Sequence, residues 1–172
     1  PFIQDMIISN ETGTCWPSDS AGGRFLSLLA AGGGFGYIPF ASGTWGSLPG
    51  IAIFLLTRGL DAWLQILLFA VSCMIAIGLA DRAERISGIR DPGFVVIDEV
   101  VGMWATLLFL WRADLAVLVI GFLLFRAFDI LKFYPLNVFE SFRGGVGIVL
   151  DDVAAGMLAN IVMRLILLSG IF

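Results

Sequence analysis

The sequence predicts an all-α fold: a polytopic membrane helical bundle of about four to five membrane helices, with a Gly-rich loop on the cytoplasmic side. Three observations carry that expectation. Hydrophobic residues are 59% of the 172 and charged residues only 14%, where a soluble domain is about 45–50% apolar. Mean hydropathy is +0.97, and a fold of this size has no interior large enough to hide so much apolar surface. Finally, the apolar residues form runs near bilayer length separated by short charged turns, and helices satisfy their own backbone groups in lipid where an open sheet edge cannot.

Residues 1–23 read as an N-terminal surface or interfacial segment and residues 24–172 as the membrane-embedded domain. The first twenty residues are polar and lack the basic-then-apolar pattern of a cleavable signal. "RFLSLLAAGG" suits the start of an amphipathic helix. The stretch 32–50, "GGGFGYIPFASGTWGSLPG", is too rich in Gly and Pro for a regular helix and reads as a loop. Five apolar segments follow, at roughly 47–59, 62–80, 96–111, 114–133 and 149–169. Residues 62–80 would rise about 28 Å as a helix, against a hydrocarbon core of about 30 Å. The segment 47–59 is short and crosses only in part. "RGLD" at 58–61 and "WRAD" at 111–114 are tight turns.

Threading the five segments alternately puts Arg24, Arg82, Arg85, Arg90, Arg126, Lys132 and Arg143 at or near one side, and Arg58, Arg112 and Arg164 at the other. The basic excess makes the first side cytoplasmic. The chain has no His, which removes the commonest general base and transition-metal ligand. Its two cysteines, Cys15 and Cys73, form no framework and read as a lone thiol and a small buried hydrophobe. A net charge of −4 gives no footprint for nucleic acid.

Two acid pairs stand inside oily runs: Asp98–Glu99 in "VVIDEVVGMW" and Asp151–Asp152 in "GIVLDDVAAGM". An ionised carboxylate in a spanning helix costs at least ~2.5–3.5 kcal/mol, and adjacent ones repel unless a cation lies between them. Helix N-capping at the interface is the structural alternative for a single pair. Both pairs, and Asp129, thread to the same side, although hydropathy and mostly loop charges, not the acids, drew the threading. That convergence favours one shared cation site of Asp98, Glu99, Asp129, Asp151 and Asp152. All-oxygen ligands suit Mg²⁺, Mn²⁺ or Ca²⁺ rather than zinc or copper, and Mg²⁺ pairs naturally with substrate phosphate.

In "FRAFDILK", Arg126, Asp129 and Lys132 share a broad helix face. Arg126 and Lys132 are candidates for phosphate, against an Arg126–Asp129 ion pair or snorkelling to the interface. The glycines of 34–47, with Thr44 and Ser47, and "RGGVG" with Gly144 and Gly145, leave backbone N–H groups that can cradle an anion. Gly102 and Gly156 suit close helix packing. Asp152, Gly156 and Asn160 form one stripe able to turn a carboxylate into the bundle.

Together, "GFGYIPFASGTWGSL", "DPGFVVIDEVVGMW", "GFLLFRAFDILKFYP" and "GGVGIVLDDVAAGM" resemble the phosphatidylglycerophosphatase A family, in its order and spacing from about Gly34 onward. The resemblance implies a Mg²⁺-dependent multi-pass enzyme of the bacterial inner membrane. Its substrate would be a phospholipid in the bilayer, phosphatidylglycerophosphate, hydrolysed to phosphatidylglycerol and phosphate on the cytoplasmic side. By motif match Asp98, Glu99, Asp129, Asp151 and Asp152 form the acidic set. Gly43, Thr44, Gly46 and Ser47 fall in a Gly-Thr loop, and Arg126, Lys132 and Pro135 in the third motif. The mechanism this favours is metal-assisted hydrolysis with Glu99 or Asp151 as general base, an aspartyl-phosphate being the other route. The rival class is a cation or proton transporter. It would place acids near the midplane with access from both faces, whereas here they gather at one edge.

Overall fold

Residues that are apolar through every helical turn leave the backbone one economical way to pair its own polar groups, and the chain takes it. The structure, a computed structural model, describes residues 21–131, 142 and 144–170. Among these are six α-helices and no strand: α1 (Ala21–Ala30), α2 (Ser42–Thr57), α3 (Ala62–Ser87), α4 (Ile97–Leu107), α5 (Leu115–Leu131) and α6 (Gly145–Leu168), with a 3-10 segment at Gly32–Tyr37. The amphipathic helix expected after residue 23 is α1. Lys132, Pro135 and Arg143 lie outside the described residues.

α4 and α6 are the central pair. α4 is buried from Val100 to Leu107, and both helices contribute to two apolar clusters. One joins Phe54 of α2, Val117 and Phe125 of α5, and Trp104, Leu107, Ala159 and Met163. The other joins Ala76, Leu79 and Ala83 of α3 to Val101, Val149 and Val153. The crossing is glycine on glycine. A Cβ on Gly102 would stand 2.8 Å from the Asp152 carbonyl oxygen, and one on Gly156 would overlap the Gly102 carbonyl. These two glycines do the close packing their spacing suggested. Around the pair, α3 turns Trp63, Ile66, Leu67, Met74 and Ile75 outward, an apolar coat that suits lipid rather than water.

α3 and α6 are the two helices among the described residues that are long and apolar enough to cross a membrane. The other elements depart from the sequence expectations in two places. The Gly/Pro-rich stretch is a loop only as far as Ala41, and α2 runs from Ser42 straight through Gly43, Gly46, Pro49 and Gly50. Those glycines share one face, and the face is pressed on α4. A Cβ on Gly46 would reach Val96 Cβ at 2.6 Å, and one on Gly50 would reach Met103 Cβ at 2.9 Å. Helix packing thus outweighs the poor helix propensity of Gly, a penalty of only about 1 kcal/mol each.

The second departure is α4. The apolar run 96–111 reads as a full segment, but the helix has 11 residues, about 16 Å of rise, and stops at Leu107. Leu108 is extended and Phe109 takes φ +60°. Side chains of α6 accept the stop. Asn160 Nδ2 donates to the carbonyls of Thr106 at 2.7 Å and Leu108 at 3.0 Å, and Arg164 Nη2 donates to Leu108 O at 3.1 Å. Arg164 Nε in turn donates to Asn160 Oδ1 at 2.7 Å, which fixes the amide. Arg164 is therefore a cap for a buried helix end, where its charge also meets the negative end of the dipole.

Asn160→Ala is expected to lower stability by about 1–3 kcal/mol, because carbonyls at the end of α4 lose their donors in an apolar interior. The check is the unfolding midpoint of the purified protein in mild detergent. A midpoint equal to that of the unaltered chain would show that the α4 terminus does not depend on α6.

Candidate active site

Each helix end on one side of the bundle brings a short polar sequence to the same place. The helices alternate in direction, so this side gathers the N-terminus of α2, the C-terminal turns of α3, the 88–96 loop, the N-terminus of α4, the C-terminus of α5 and the N-terminus of α6. They enclose a cavity of about 650 Å³ whose wall includes Ser42, Glu84, Arg90, Asp91, Asp98, Glu99, Asp129, Gly144, Gly147, Asp151 and Asp152. All five acids singled out in the sequence line it.

The acids arrive by different local routes. Asp98 and Glu99 occupy the first turn of α4, where the helix dipole favours negative charge. Asp151 and Asp152 lie in the second turn of α6, past its N-cap Gly144, so they are not capping residues. Asp98, Asp151 and Asp152 are buried, with exposures of 6%, 5% and 5%. One carboxylate oxygen each from Asp98, Glu99 and Asp152 lies within 4.8 Å of the others. Asp98 Oδ1 and Glu99 Oε2 are buried with no hydrogen-bond partner. Three carboxylates this close, drawn from two helices, call for a cation among them. The donor set is oxygen only, which fits a hard divalent ion.

Asp129 approaches from α5 and is paired with Arg126 three residues earlier, the two side chains 14% and 19% exposed. Arg126 does not line the cavity. Its guanidinium points at the space left by Gly43, where a Cβ would lie 2.9 Å from Nη1 and would overlap Glu99 Oε1. Gly43 is therefore a glycine because the Glu99 and Arg126 side chains use the room its missing side chain leaves. The Arg126–Asp129 ion pair weighed against a phosphate contact is present.

The remaining candidates divide. Gly144 lines the cavity with φ +73°, while Gly145 faces α3, where a Cβ would sit 2.5 Å from Asp81 N. Gly145 is a packing residue in this structure, and Gly147 takes the place beside Gly144 on the wall. Ser47 is fully buried and its hydroxyl donates to Gly43 O at 2.8 Å. It bonds within its own helix and does not reach the cavity. Thr44 is half-buried and is also absent from the described wall, whereas Ser42, one turn before Gly46, is on it. Sequence reading passed over Glu84, Arg90 and Asp91 as site residues. Their only signal was position, in the charged stretch that leads into the α4 acids.

The comparisons agree with this geometry. The family model described as Phosphatidylglycerophosphatase A matches residues 28–167. Phosphatidylglycerophosphatase A of Escherichia coli (strain K12) is 36% identical over 133 residues, 77% of this chain and 77% of its own. The protein of that name from Haemophilus influenzae is 36% identical over 140 residues, 80% of this chain and 86% of its own. A Bacteroides thetaiotaomicron protein provisionally named a phosphatidylinositol-3-phosphatase is 37% identical over 143 residues, 79% of this chain and 89% of its own. No solved structure matches the chain. With most of its length covered by the family model and by relatives above one-third identity, the chain belongs to the phosphatidylglycerophosphatase A family.

Proposed function

We propose that this protein hydrolyses the terminal phosphomonoester of phosphatidylglycerophosphate, giving phosphatidylglycerol and phosphate, with Mg²⁺ as its metal. The observation that carries the reading is the cluster of Asp98, Glu99 and Asp152, with Asp98 Oδ1 and Glu99 Oε2 lacking a hydrogen-bond partner, at the wall of a cavity that also holds Asp129 and Asp151. Family membership supports the lipid phosphate as substrate. A site at one end of the helices, and not at mid-depth, speaks against a transport path.

Asp98, Glu99 and Asp152 would hold the ion, with Asp129 and Asp151 nearby. Mg²⁺ bound there supplies charge neutralisation of the phosphomonoester and a lower pKa for water. The protein's own groups do the rest. Asp151 lines the cavity outside the three-carboxylate cluster, which suits it to take the proton from the attacking water. The water oxygen bonds to phosphorus, the P–O ester bond opens, and the leaving alkoxide takes up a proton. Gly144, at the α6 N-terminus, offers its backbone N–H and the positive dipole end to phosphate oxygens, while the Gly147 N–H donates to Gly144 O at 3.0 Å. Arg126 holds Asp129 in place and offsets one of the negative charges.

Residues 24–172 form one membrane domain of the bacterial inner membrane, preceded by a surface segment over 1–23, with the cavity facing the cytoplasm. Arg82, Arg85 and Arg90 stand at the cavity end, and Arg58 and Arg112 at the other, which supports that orientation. α3 and α6 cross the bilayer, and α2 and α5, of 16 and 17 residues, span most of it. α4 covers about half of it, and its non-helical continuation is tolerated because Asn160 and Arg164 satisfy the backbone inside protein. Cavity and acyl chains then meet at the headgroup layer.

The test is phosphate release from phosphatidylglycerophosphate in mixed micelles. Excess EDTA is expected to abolish it and added Mg²⁺ to restore it. Full activity in EDTA would remove the metal from the proposal, and no release under any divalent ion would remove the substrate.

A further inference from the structure

We infer that Arg90 reads a second anionic group on the substrate, the phosphodiester that links headgroup to diacylglycerol. This inference rests on the proposed lipid phosphatase activity. A headgroup phosphomonoester on a glycerophospholipid comes with a phosphodiester a few bonds away. That diester must lie next to a wall carrying Glu84, Asp91, Asp98, Glu99, Asp129, Asp151 and Asp152. Uncompensated, it would be repelled.

Arg90 is the one basic residue in the described wall of the cavity. Arg126 is off the wall. The cavity's 650 Å³ is in the range that holds a whole headgroup rather than a lone phosphate. Arg90 is also exposed, whereas Asp98, Asp151 and Asp152 are buried, so a guanidinium within reach of solvent and buried carboxylates line the same cavity.

The loop that carries Arg90 is held in shape. Gly88 ends α3 in the left-handed conformation with φ +64°. Ser87 Oγ accepts from Ile89 N at 3.2 Å, Val95 N donates to Pro92 O at 2.8 Å, and Val96 N donates to Ala30 O at 3.0 Å. Ser42 Oγ donates to Gly93 O at 3.1 Å, which ties the loop to the start of α2. Asp91 is kept at φ +51° between these ties. A guanidinium presented from a pinned loop suits the two-pronged recognition of a phosphate.

The experiment compares the full-length protein with Arg90→Ala and Arg90→Lys in neutral detergent micelles, using two inhibitors of phosphatidylglycerophosphate turnover. Phosphatidylglycerol carries the diester without the monoester, and inorganic phosphate stands for the monoester alone. In Arg90→Ala, the KM for substrate and the Ki for phosphatidylglycerol are expected to rise about tenfold or more, with the Ki for inorganic phosphate unchanged. Arg90→Lys should fall between. An equal rise in both inhibition constants would mean that Arg90 serves the scissile phosphate. No change in either, or no inhibition of the unaltered protein by phosphatidylglycerol, would remove the diester subsite. Wild-type turnover itself tests the underlying activity, so the two failures are told apart.

Discussion

Asp152→Asn is expected to cut turnover by about a thousandfold or more while the bundle stays folded. The loss of a ligand that fixes a divalent ion forfeits several kcal/mol of charge stabilisation, and each 1.4 kcal/mol is about tenfold in rate. Asp98→Asn should match it, since both residues place an oxygen in the same cluster. Stability should move the other way when metal is withheld. Two buried carboxylates facing a third repel, and an amide of the same shape removes one of those charges. Thermal unfolding in EDTA is therefore expected to hold or rise for both variants, while phosphate release, titrated with Mg²⁺, collapses. A recovered variant that turns over near the wild-type rate would refute the assignment of these residues to the site.

Glu99→Gln separates two roles. Should it retain a high maximal rate but demand far more Mg²⁺, Glu99 is a ligand and the base is Asp151, the reading that their placement favours. Should no amount of Mg²⁺ restore the rate, Glu99 acts on the transition state itself. A loss confined to the apparent metal affinity is the expected result.

The convergence of the acids was legible in the sequence because alternate threading is nearly forced once helices are separated by turns such as 58–61 and 111–114. Asp98, Glu99, Asp129, Asp151 and Asp152 then fall at one end whatever their side chains do, and all five line one cavity. What the sequence hid were features in which a neighbour overrides local propensity. Gly43, Gly46 and Gly50 look like loop residues until α4 lies against them, when their lack of side chains is what permits contact. The end of α4 was hidden for a different reason. Leu108 and Phe109 are as apolar as the helix before them, so hydropathy runs through the stop that Asn160 and Arg164 impose from α6. Arg90 was counted only as a loop charge, since no spacing rule shows that its loop folds over the acids.

Gly156→Ala is expected to be among the most damaging single changes at an uncharged residue. Its added Cβ would meet the Gly102 carbonyl oxygen at less than contact distance and Ala105 Cβ at 3.0 Å. A backbone carbonyl inside a helix cannot swing aside as a side-chain tip can, so α4 and α6 must separate. Overpacking of this kind costs about 1–3 kcal/mol, occasionally more, against a helix-propensity gain of about 1 kcal/mol for replacing Gly by Ala. Separation also acts on function, because Asp98 and Glu99 lie one turn before Gly102, and Asp152 one turn before Gly156. Moving the two backbones apart widens the carboxylate cluster, so the Mg²⁺ needed for half-maximal rate should rise along with the fall in stability. Gly78→Ala on α3 is the control. Nothing lies within 4 Å of the Cβ it would add, so it gains propensity without a clash and should be neutral or stabilising, with an unchanged Mg²⁺ requirement. If Gly156→Ala behaved like Gly78→Ala in both unfolding and Mg²⁺ titration, the glycine crossing would not be what sets the spacing of the acids. The expected outcome is a divergence of the pair in both measurements, because one small methyl group lies between two helices that each carry half of the site.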